Sequence, residues 1–215
     1  MKRKCLIFLL VAGLVGMAST AWATNLLTNP SFEEPSYPEG GYALVIPTGW
    51  TGSGPVFVEH PPHDGSWGYL PTDGFQVLTM MYPDTYTEQD KGLIGTDILY
   101  QFTVDIVPWA ASDGSSAGMI YLSEDQGWTN LATASFNIPL GGLPITLTVQ
   151  WDSTGSAYAG VANLYAGMVM TENTLGTGDE TRTFSSFDNA ILTPEPATMA
   201  LIGLGGLALI RRKRG

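Results

Sequence analysis

Short apolar runs separated by turn residues recur through most of the chain. Typical runs are "GPVFVEH", "GFQVLTMMYP" and "PITLTVQWD", and the residues between the runs are mainly Gly, Pro, Asp, Asn and Ser. Within "YQFTVDIV", residues 100–107, apolar and polar side chains alternate. The apolar set is Phe102, Val104 and Ile106, and the polar set is Gln101, Thr103 and Asp105. A period of two is typical of strands that bury one face.

The spacing of these runs predicts about ten strands between residues 24 and 193. No long helical pattern alternates with them, as it would in a parallel α/β sheet. A strand that is apolar on one face needs a second layer to pack against. We therefore predict an all-β fold in which residues 24–193 form a single jelly-roll β-sandwich.

The first 23 residues differ in character from the rest of the chain. Lys2, Arg3 and Lys4 precede an apolar stretch from Leu6 to Met17, and Ala21-Trp22-Ala23 closes the segment. A basic start, an apolar middle and a small-x-small end are the parts of a secretory signal peptide. We predict that this segment is removed during export and that the mature chain begins at Thr24.

The cysteine content bears on how the domain is stabilised, and the charge bears on the classes of partner that it can bind. Cys5 is the one cysteine and lies in the predicted signal peptide, so a core and not disulfides must hold the mature domain together. Between residues 24 and 193 there are two basic and nineteen acidic residues, a net charge of −17. This balance argues against nucleic acid and anionic lipid as partners, because both are bound through Lys and Arg. It leaves divalent cations and neutral glycans as candidate ligands.

The last 22 residues combine three features in a fixed order. Pro194, Glu195 and Pro196 come first, an apolar stretch from Ala197 to Ile210 follows, and the basic residues Arg211, Arg212, Lys213 and Arg214 come next. Proline holds the backbone extended and removes hydrogen-bond donors, which predicts an accessible triplet. The apolar stretch predicts a transmembrane helix of about 21 Å. The basic cluster predicts a cytoplasmic C-terminus.

No catalytic motif has the context that its chemistry needs. Residues 114–118 match the nucleophile elbow G-x-S-x-G, but the polar loop "PWAASD" directly precedes them and the strand-like "MIYL" follows. Both histidines also come earlier in the chain, whereas this motif needs a later one. His60 and His63 are metal-capable, but Pro61 and Pro62 prevent the helical spacing that would present both rings to one ion. Nineteen carboxylates offer many pairs, and the sequence selects none of them as catalytic.

Two tryptophans are flanked by turn residues, and we expect them at the surface. They are Trp67 in "HDGSWGYL" and Trp128 in "EDQGWTN". Aromatic faces stack on the apolar C–H surfaces of sugar rings, so these two are the candidates for contact with a glycan.

Four segments, "NLLTNPSFEEP", "IPTGW", "HDGSWGYL" and "SSFDNAIL", resemble in that order the hallmarks of galactose-binding-like jelly rolls. Such domains occur in carbohydrate-binding modules and in exported bacterial surface proteins. In them, a Glu after the first Ser-Phe and an Asp in the last strand help to hold a structural calcium ion. The resemblance therefore implies Glu33 and Asp188 as calcium ligands, and Ca²⁺ prefers carboxylate oxygens. The alternative role for both residues is a strand-end hydrogen bond or a solvated charge.

The C-terminal triplet, apolar stretch and basic cluster together resemble a PEP-CTERM sorting signal. The resemblance implies that a membrane-embedded exosortase recognises Pro194-Glu195-Pro196 and removes the tail during export. It also implies a Gram-negative, biofilm-forming host that makes exopolysaccharide. The protein would be anchored in the inner membrane first, and would then reach the cell surface or the extracellular matrix.

These observations favour a non-enzymatic surface or matrix protein that binds extracellular polysaccharide and calcium. Two alternatives stay open. One is an extracellular hydrolase that acts on glycans through a carboxylate pair on the same fold. The other is a structural matrix protein that associates with itself.

Overall fold

The computed structural model describes residues 24–65, 69–108, 116–125, 130–139, 143–173 and 184–196. The predicted signal peptide, the apolar stretch at 197–210, the basic cluster, Trp67 and Trp128 lie outside these ranges. Within the ranges, no helix is long and apolar enough to cross a membrane.

The described residues form eleven β-strands and no helix. The strands are β1 (Tyr42–Leu44), β2 (Thr51–Ser53), β3 (Val56–Glu59), β4 (Val77–Met81), β5 (Tyr86–Leu93), β6 (Ile98–Pro108), β7 (Ser116–Ser123), β8 (Asn130–Ile138), β9 (Ile145–Asp152), β10 (Asn163–Asn173) and β11 (Phe184–Pro196). Every paired neighbour runs antiparallel. The prediction of an all-β fold is confirmed.

The strands form two sheets that face each other. One sheet has six strands in the order β1-β3-β4-β11-β6-β9, and the other has five in the order β2-β5-β10-β7-β8. Neighbours such as β4 and β11 are far apart in sequence, so the chain crosses repeatedly between the sheets. This antiparallel double sheet with long crossovers is a jelly-roll sandwich.

The core lies between the inner faces of the two sheets. Phe102, Val104 and Ile106 of β6 are fully buried there, as their alternation predicts. Met168 and Met170 of β10 belong to the same core from the five-stranded side. Burial of these side chains is the main stabilising contribution in a domain without disulfides.

The polar side of β6 forms a ladder with β9 on the outer face of the six-stranded sheet. Gln150 donates to Gln101 at 2.6 Å, and the hydroxyls of Thr103 and Thr148 lie 3.1 Å apart. Cross-strand pairs of this kind satisfy polar groups and help to set the register.

Both ends of the described chain meet on β11. The N–H of Leu26 donates to the carbonyl of Leu192 at 2.8 Å, and the N–H of Ala190 donates to the carbonyl of Pro30 at 2.9 Å. The order of these two bonds is antiparallel, so the first described residues, from Thr24 on, lie toward the C-terminal end of β11. The predicted signal-peptide cleavage site and the C-terminal triplet are therefore at the same end of the sandwich.

Candidate functional site

A row of acidic and phenolic side chains lies on the outer face of the five-stranded sheet. Alternate residues of β10 point into the core, so Tyr165 and Gly167 lie on the outer face. The register places Gly167 between Glu88 of β5 and Tyr121 of β7, and places Asp90 opposite Tyr165. We call Glu88, Asp90, Tyr121 and Tyr165 the carboxyl–phenol row.

Glu88 and Tyr121 form the buried part of this row. The hydroxyl of Tyr121 donates to Glu88 Oε2 at 2.7 Å, and no more than 1% of either residue is exposed. A Cβ at position 167 would lie 2.5 Å from Tyr121 Oη and 2.8 Å from Glu88 Cβ. Glycine at 167 therefore lets the tyrosine cross β10 to reach the glutamate.

The second carboxyl oxygen of Glu88 has no partner. Oε1 is buried and makes no hydrogen bond in the described part of the structure. Burial raises the pKa of Glu88; the hydrogen bond from Tyr121 opposes the rise, and the negative charges of Asp125 and Asp90 add to it. Burial therefore disfavours the charged form of this carboxyl group more than it would for an exposed glutamate.

No cation compensates Glu88 within the described ranges. Lys91 is the one lysine or arginine in them, and its Nζ donates to Gln89 Oε1 at 3.0 Å. Burial lowers the pKa of Lys91.

Asp90 is the exposed end of the row. Asn163 Nδ2 donates to Asp90 Oδ2 at 2.9 Å, and the hydroxyl of Tyr165 donates to the same oxygen at 3.3 Å. The N–H of Gly92 donates to Asp90 Oδ1 at 2.8 Å. Three donors thus orient an exposed carboxylate beside a half-buried aromatic ring. This arrangement fits a ligand that has hydroxyl groups and an apolar C–H face.

The sequence does not point to this row, because β5 has no apolar run. Its segment "TEQ", residues 87–89, is buried although it is entirely polar. The partners come from distant parts of the chain: Thr87 donates to the carbonyl of Thr51 at 3.1 Å, and Gln89 donates to the carbonyl of Thr28 at 2.6 Å. Only the tertiary structure shows that Thr87 and Gln89 are satisfied inside the fold.

The two predicted calcium ligands lie on either side of one loop. Asp188 Oδ2 accepts hydrogen bonds from the N–H groups of Thr72 and Asp73 at 2.6 and 2.8 Å, and from the Thr72 hydroxyl at 3.1 Å. Its Oδ1 accepts the N–H of Asn189 at 2.7 Å. Asp188 is fully buried. It therefore holds the start of the loop against the six-stranded sheet.

Glu33 holds the other side of this loop. Its Oε1 accepts the N–H groups of Phe75 and Gln76 at 2.7 and 2.8 Å. Gly74, the residue before Phe75, has φ +67°, and a Cβ there would collide with the Glu33 carboxylate. We call residues 72–76, held by Glu33 and Asp188, the clamped loop.

The surroundings of the two carboxylates are hydrogen-bond donors, whereas Ca²⁺ requires about six to eight oxygen ligands. In the part of the chain that the structure describes, no three His, Cys, Asp or Glu side chains are grouped to hold a metal ion. Burial raises the pKa of Asp188 to about 7, and its four hydrogen bonds oppose that rise. In this arrangement Glu33 and Asp188 do not fit a calcium site, and calcium binding stays a prediction.

The two histidines pack as an aromatic cluster with Phe75. The ring centroids of His60 and His63 are 5.7 Å apart, and each ring also lies within 5.8 Å of the Phe75 ring. His60 Nδ1 is 2.7 Å from the carbonyl of Tyr37. Residues 116–118 of the G-x-S-x-G match open strand β7, so the helix that this motif requires does not follow.

The C-terminal triplet is part of the six-stranded sheet. Strand β11 extends to Pro196, and its last residues pair with β6. The register is Pro194 with Tyr100, Glu195 with Leu99 and Pro196 with Ile98. The triplet is extended and the Glu195 side chain is exposed, as the prolines predict, but the backbone is paired.

Comparison with known proteins assigns the end of the chain and the fold. Residues 192–214 match a family model described as the PEP-CTERM protein-sorting motif. No curated protein sequence matches the chain. Among solved structures, a cyclase from Fischerella sp. TAU is 22% identical with a TM-score of 0.62, over 80% of this chain and 96% of that chain.

Carbohydrate-binding modules are also among the similar structures. The xylan-binding domain CBM22-1 of Paenibacillus barcinonensis Xyn10C is 14% identical with a TM-score of 0.49, over 80% of this chain and 95% of that chain. TmCBM61 in complex with β-1,4-galactotriose has the same identity and TM-score, over 80% of this chain and all of that chain. Residues 192–214 are thus a PEP-CTERM sorting motif, and the domain before them is a jelly-roll sandwich.

Proposed function

We propose that this is an exported, exosortase-processed protein whose jelly-roll domain binds a neutral, hydroxyl-rich glycan on the outer face of the five-stranded sheet. The observation that carries the binding half is Asp90, an exposed carboxylate oriented by Asn163 and Tyr165. The sorting motif carries the export half. A net charge of −17 on residues 24–193 favours a neutral glycan over an acidic one.

In this proposal each part of the row has a separate task. Asp90 accepts hydrogen bonds from sugar hydroxyls, and the half-buried ring of Tyr165 contacts the C–H face of a sugar ring. Glu88 and Tyr121 lie deeper, and Glu88 Oε1 is the carboxyl oxygen left for any hydroxyl that reaches it. Trp67 and Trp128 stay further candidates for stacking.

Glycan binding is tested with the processed protein against neutral polysaccharides such as galactan, xylan and glucan in an affinity gel. We expect Asp90→Ala to weaken binding about tenfold, because a hydrogen bond to a charged group is lost. Asp105→Ala is the matched control, since Asp105 lies on the other sheet and accepts the Thr146 hydroxyl at 2.6 Å. Equal binding by both variants, or binding of no polysaccharide, would contradict the proposal.

The second candidate function is hydrolysis of the glycan. The fold does not decide between the two, because the similar Fischerella structure is a cyclase. Glu88 and Asp90 lie two residues apart on one face of β5, and burial raises the pKa of Glu88. A buried carboxyl group with a raised pKa beside an exposed carboxylate resembles the acid and the partner carboxylate of a glycosidase. Sugar products that disappear in Glu88→Gln would favour this candidate, and binding without products would favour the first.

Processing is tested by changing the triplet in the full chain. In this proposal the apolar stretch 197–210 anchors the precursor in the inner membrane until the exosortase acts. We expect the double variant Glu195→Ala, Pro196→Ala to accumulate as full-length precursor in the membrane fraction. Release of this variant at the wild-type rate would contradict exosortase processing.

A further inference from the structure

We propose that the exosortase acts on this protein only after the last four residues of β11, residues 193–196, separate from β6. The inference rests on the exosortase processing proposed above. Its starting observation is that the recognition triplet is not a free tail but the end of a strand paired with Ile98, Leu99 and Tyr100.

The hydrogen-bonding directions along β11 define how the triplet is held. The N–H of Leu192 donates to Asn25 Oδ1 at 2.9 Å and its carbonyl accepts the N–H of Leu26 at 2.8 Å, so the backbone groups of Leu192 point away from β6. Strand alternation turns Pro194 and Pro196 the same way and turns Glu195 toward β6. Pro194 and Pro196 have no N–H group, and their backbone carbonyls face away from β6. Within the triplet, the backbone of Glu195 is the part that faces Leu99 of β6.

The chain provides no spacer between this strand and the predicted membrane segment. Pro196 pairs with Ile98, and the apolar stretch begins at the next residue. A membrane-embedded enzyme that takes an extended peptide would meet the edge of a folded sheet at this point. Four separated residues provide about 13 Å of extended chain, which moves the triplet clear of β6.

The fold limits the separation to this short end. Leu192 is fully buried and is tied to the N-terminal segment, so the strand is anchored immediately before residue 193. Strand β6 keeps its other neighbour, since the N–H of Ser153 donates to the carbonyl of Ile98 at 2.9 Å. A strand end that contains two prolines has few backbone bonds to break, and such ends open at a low free-energy cost.

A disulfide across the strand end tests the inference in the full chain. Thr193→Cys and Gln101→Cys place two thiols opposite each other in the register, and the predicted mature chain has no other cysteine. In a host that contains the exosortase, we expect the cross-linked precursor to be lost at least about tenfold more slowly than wild type. Added reductant and each single-cysteine variant should restore the wild-type rate.

Thr103→Cys with Thr148→Cys is the matched control pair, because it cross-links β6 to β9 in the same sheet. Wild-type processing of the cross-linked Thr193–Gln101 variant would overturn the inference and leave exosortase processing intact. Equal slowing of the control pair would also overturn it, since stiffening anywhere in the sheet would then suffice. A wild-type chain that is never processed would contradict the proposed function itself.

Discussion

Glu88 shows how the chemistry of one residue depends on its neighbours across a sheet. In the sequence it is one of nineteen acids in the domain. In the fold it is buried, with Tyr121 on Oε2 and nothing on Oε1 among the described residues. Its raised pKa follows from this position, because burial disfavours the charged form.

Replacing Glu88 by Gln should make the domain more stable at high pH than the wild type. A raised carboxyl pKa means that the native state holds a proton that the unfolded chain releases above about pH 4.3. The stability contributed by this proton is full below that pH and declines as the pH rises toward the native pKa. We expect Glu88→Gln to keep the Tyr121 hydrogen bond and to flatten this decline, as measured by urea unfolding at pH 5 and pH 8.

Tyr121→Phe is the companion variant. It removes the donor to Glu88 Oε2 and should destabilise the domain by about 1–3 kcal/mol, because a buried carboxyl group is then left without its partner. A Glu88→Gln variant with the wild-type pH dependence would show that Glu88 is ionised in the native state.

The contribution of the clamped loop to stability is tested by replacing Asp188. Asp188→Asn keeps one side-chain oxygen but turns an NH₂ group toward donors that the second oxygen accepted. We therefore expect the free energy of unfolding to fall by about 1–3 kcal/mol. Because the pKa of Asp188 is raised to about 7, its own contribution to stability should fall between about pH 4 and pH 7. Exposed Asp97→Asn is the control and should leave the unfolding midpoint unchanged.

Among the elements, β5 and β6 show what patterning reveals and what it misses. Strand β6 alternates apolar and polar residues, and the structure places its two faces as predicted. Strand β5 reads "YTEQDKGL" and contains no apolar alternation, yet its residues 87–89 are buried. The difference is physical: apolar burial is visible in composition, whereas a buried polar strand depends on partners that the fold brings from elsewhere.

Gly167 of β10 lies between Glu88 of β5 and Tyr121 of β7. Gly167→Ala should destabilise the domain by about 1–3 kcal/mol, because the added methyl group overlaps Tyr121 and Glu88 in a closely packed site. Thermal unfolding of Gly167→Ala and of the double variant Gly167→Ala, Tyr121→Phe measures the effect. The added Cβ would lie 2.5 Å from both Oη and Cζ of Tyr121, and Phe keeps Cζ. Loss of the hydroxyl therefore relieves part of the overlap, and the two changes should cost less together than their sum. A Gly167→Ala variant as stable as the wild type would contradict this account of Gly167.

On the scale of the whole molecule, the calcium prediction is settled by a melting experiment. An ion that is bound by the native state alone must raise the melting temperature. The donor groups around Glu33 and Asp188 lead us to expect equal melting temperatures in Ca²⁺ and in chelator. A higher melting temperature in Ca²⁺ that is lost in Asp188→Asn would restore both residues as ligands and would require the clamped loop to rearrange.

The sequence by itself determined the all-β class, the alternation of β6 and the sorting motif, because each depends on residues that are close together in the chain. Only the tertiary structure decided that the triplet Pro194-Glu195-Pro196 is a paired strand end. The same holds for the carboxyl–phenol row and the clamped loop, whose members are up to 116 residues apart. The physical reason is that hydrogen bonds and desolvation act between neighbours in space, and strand order sets those neighbours.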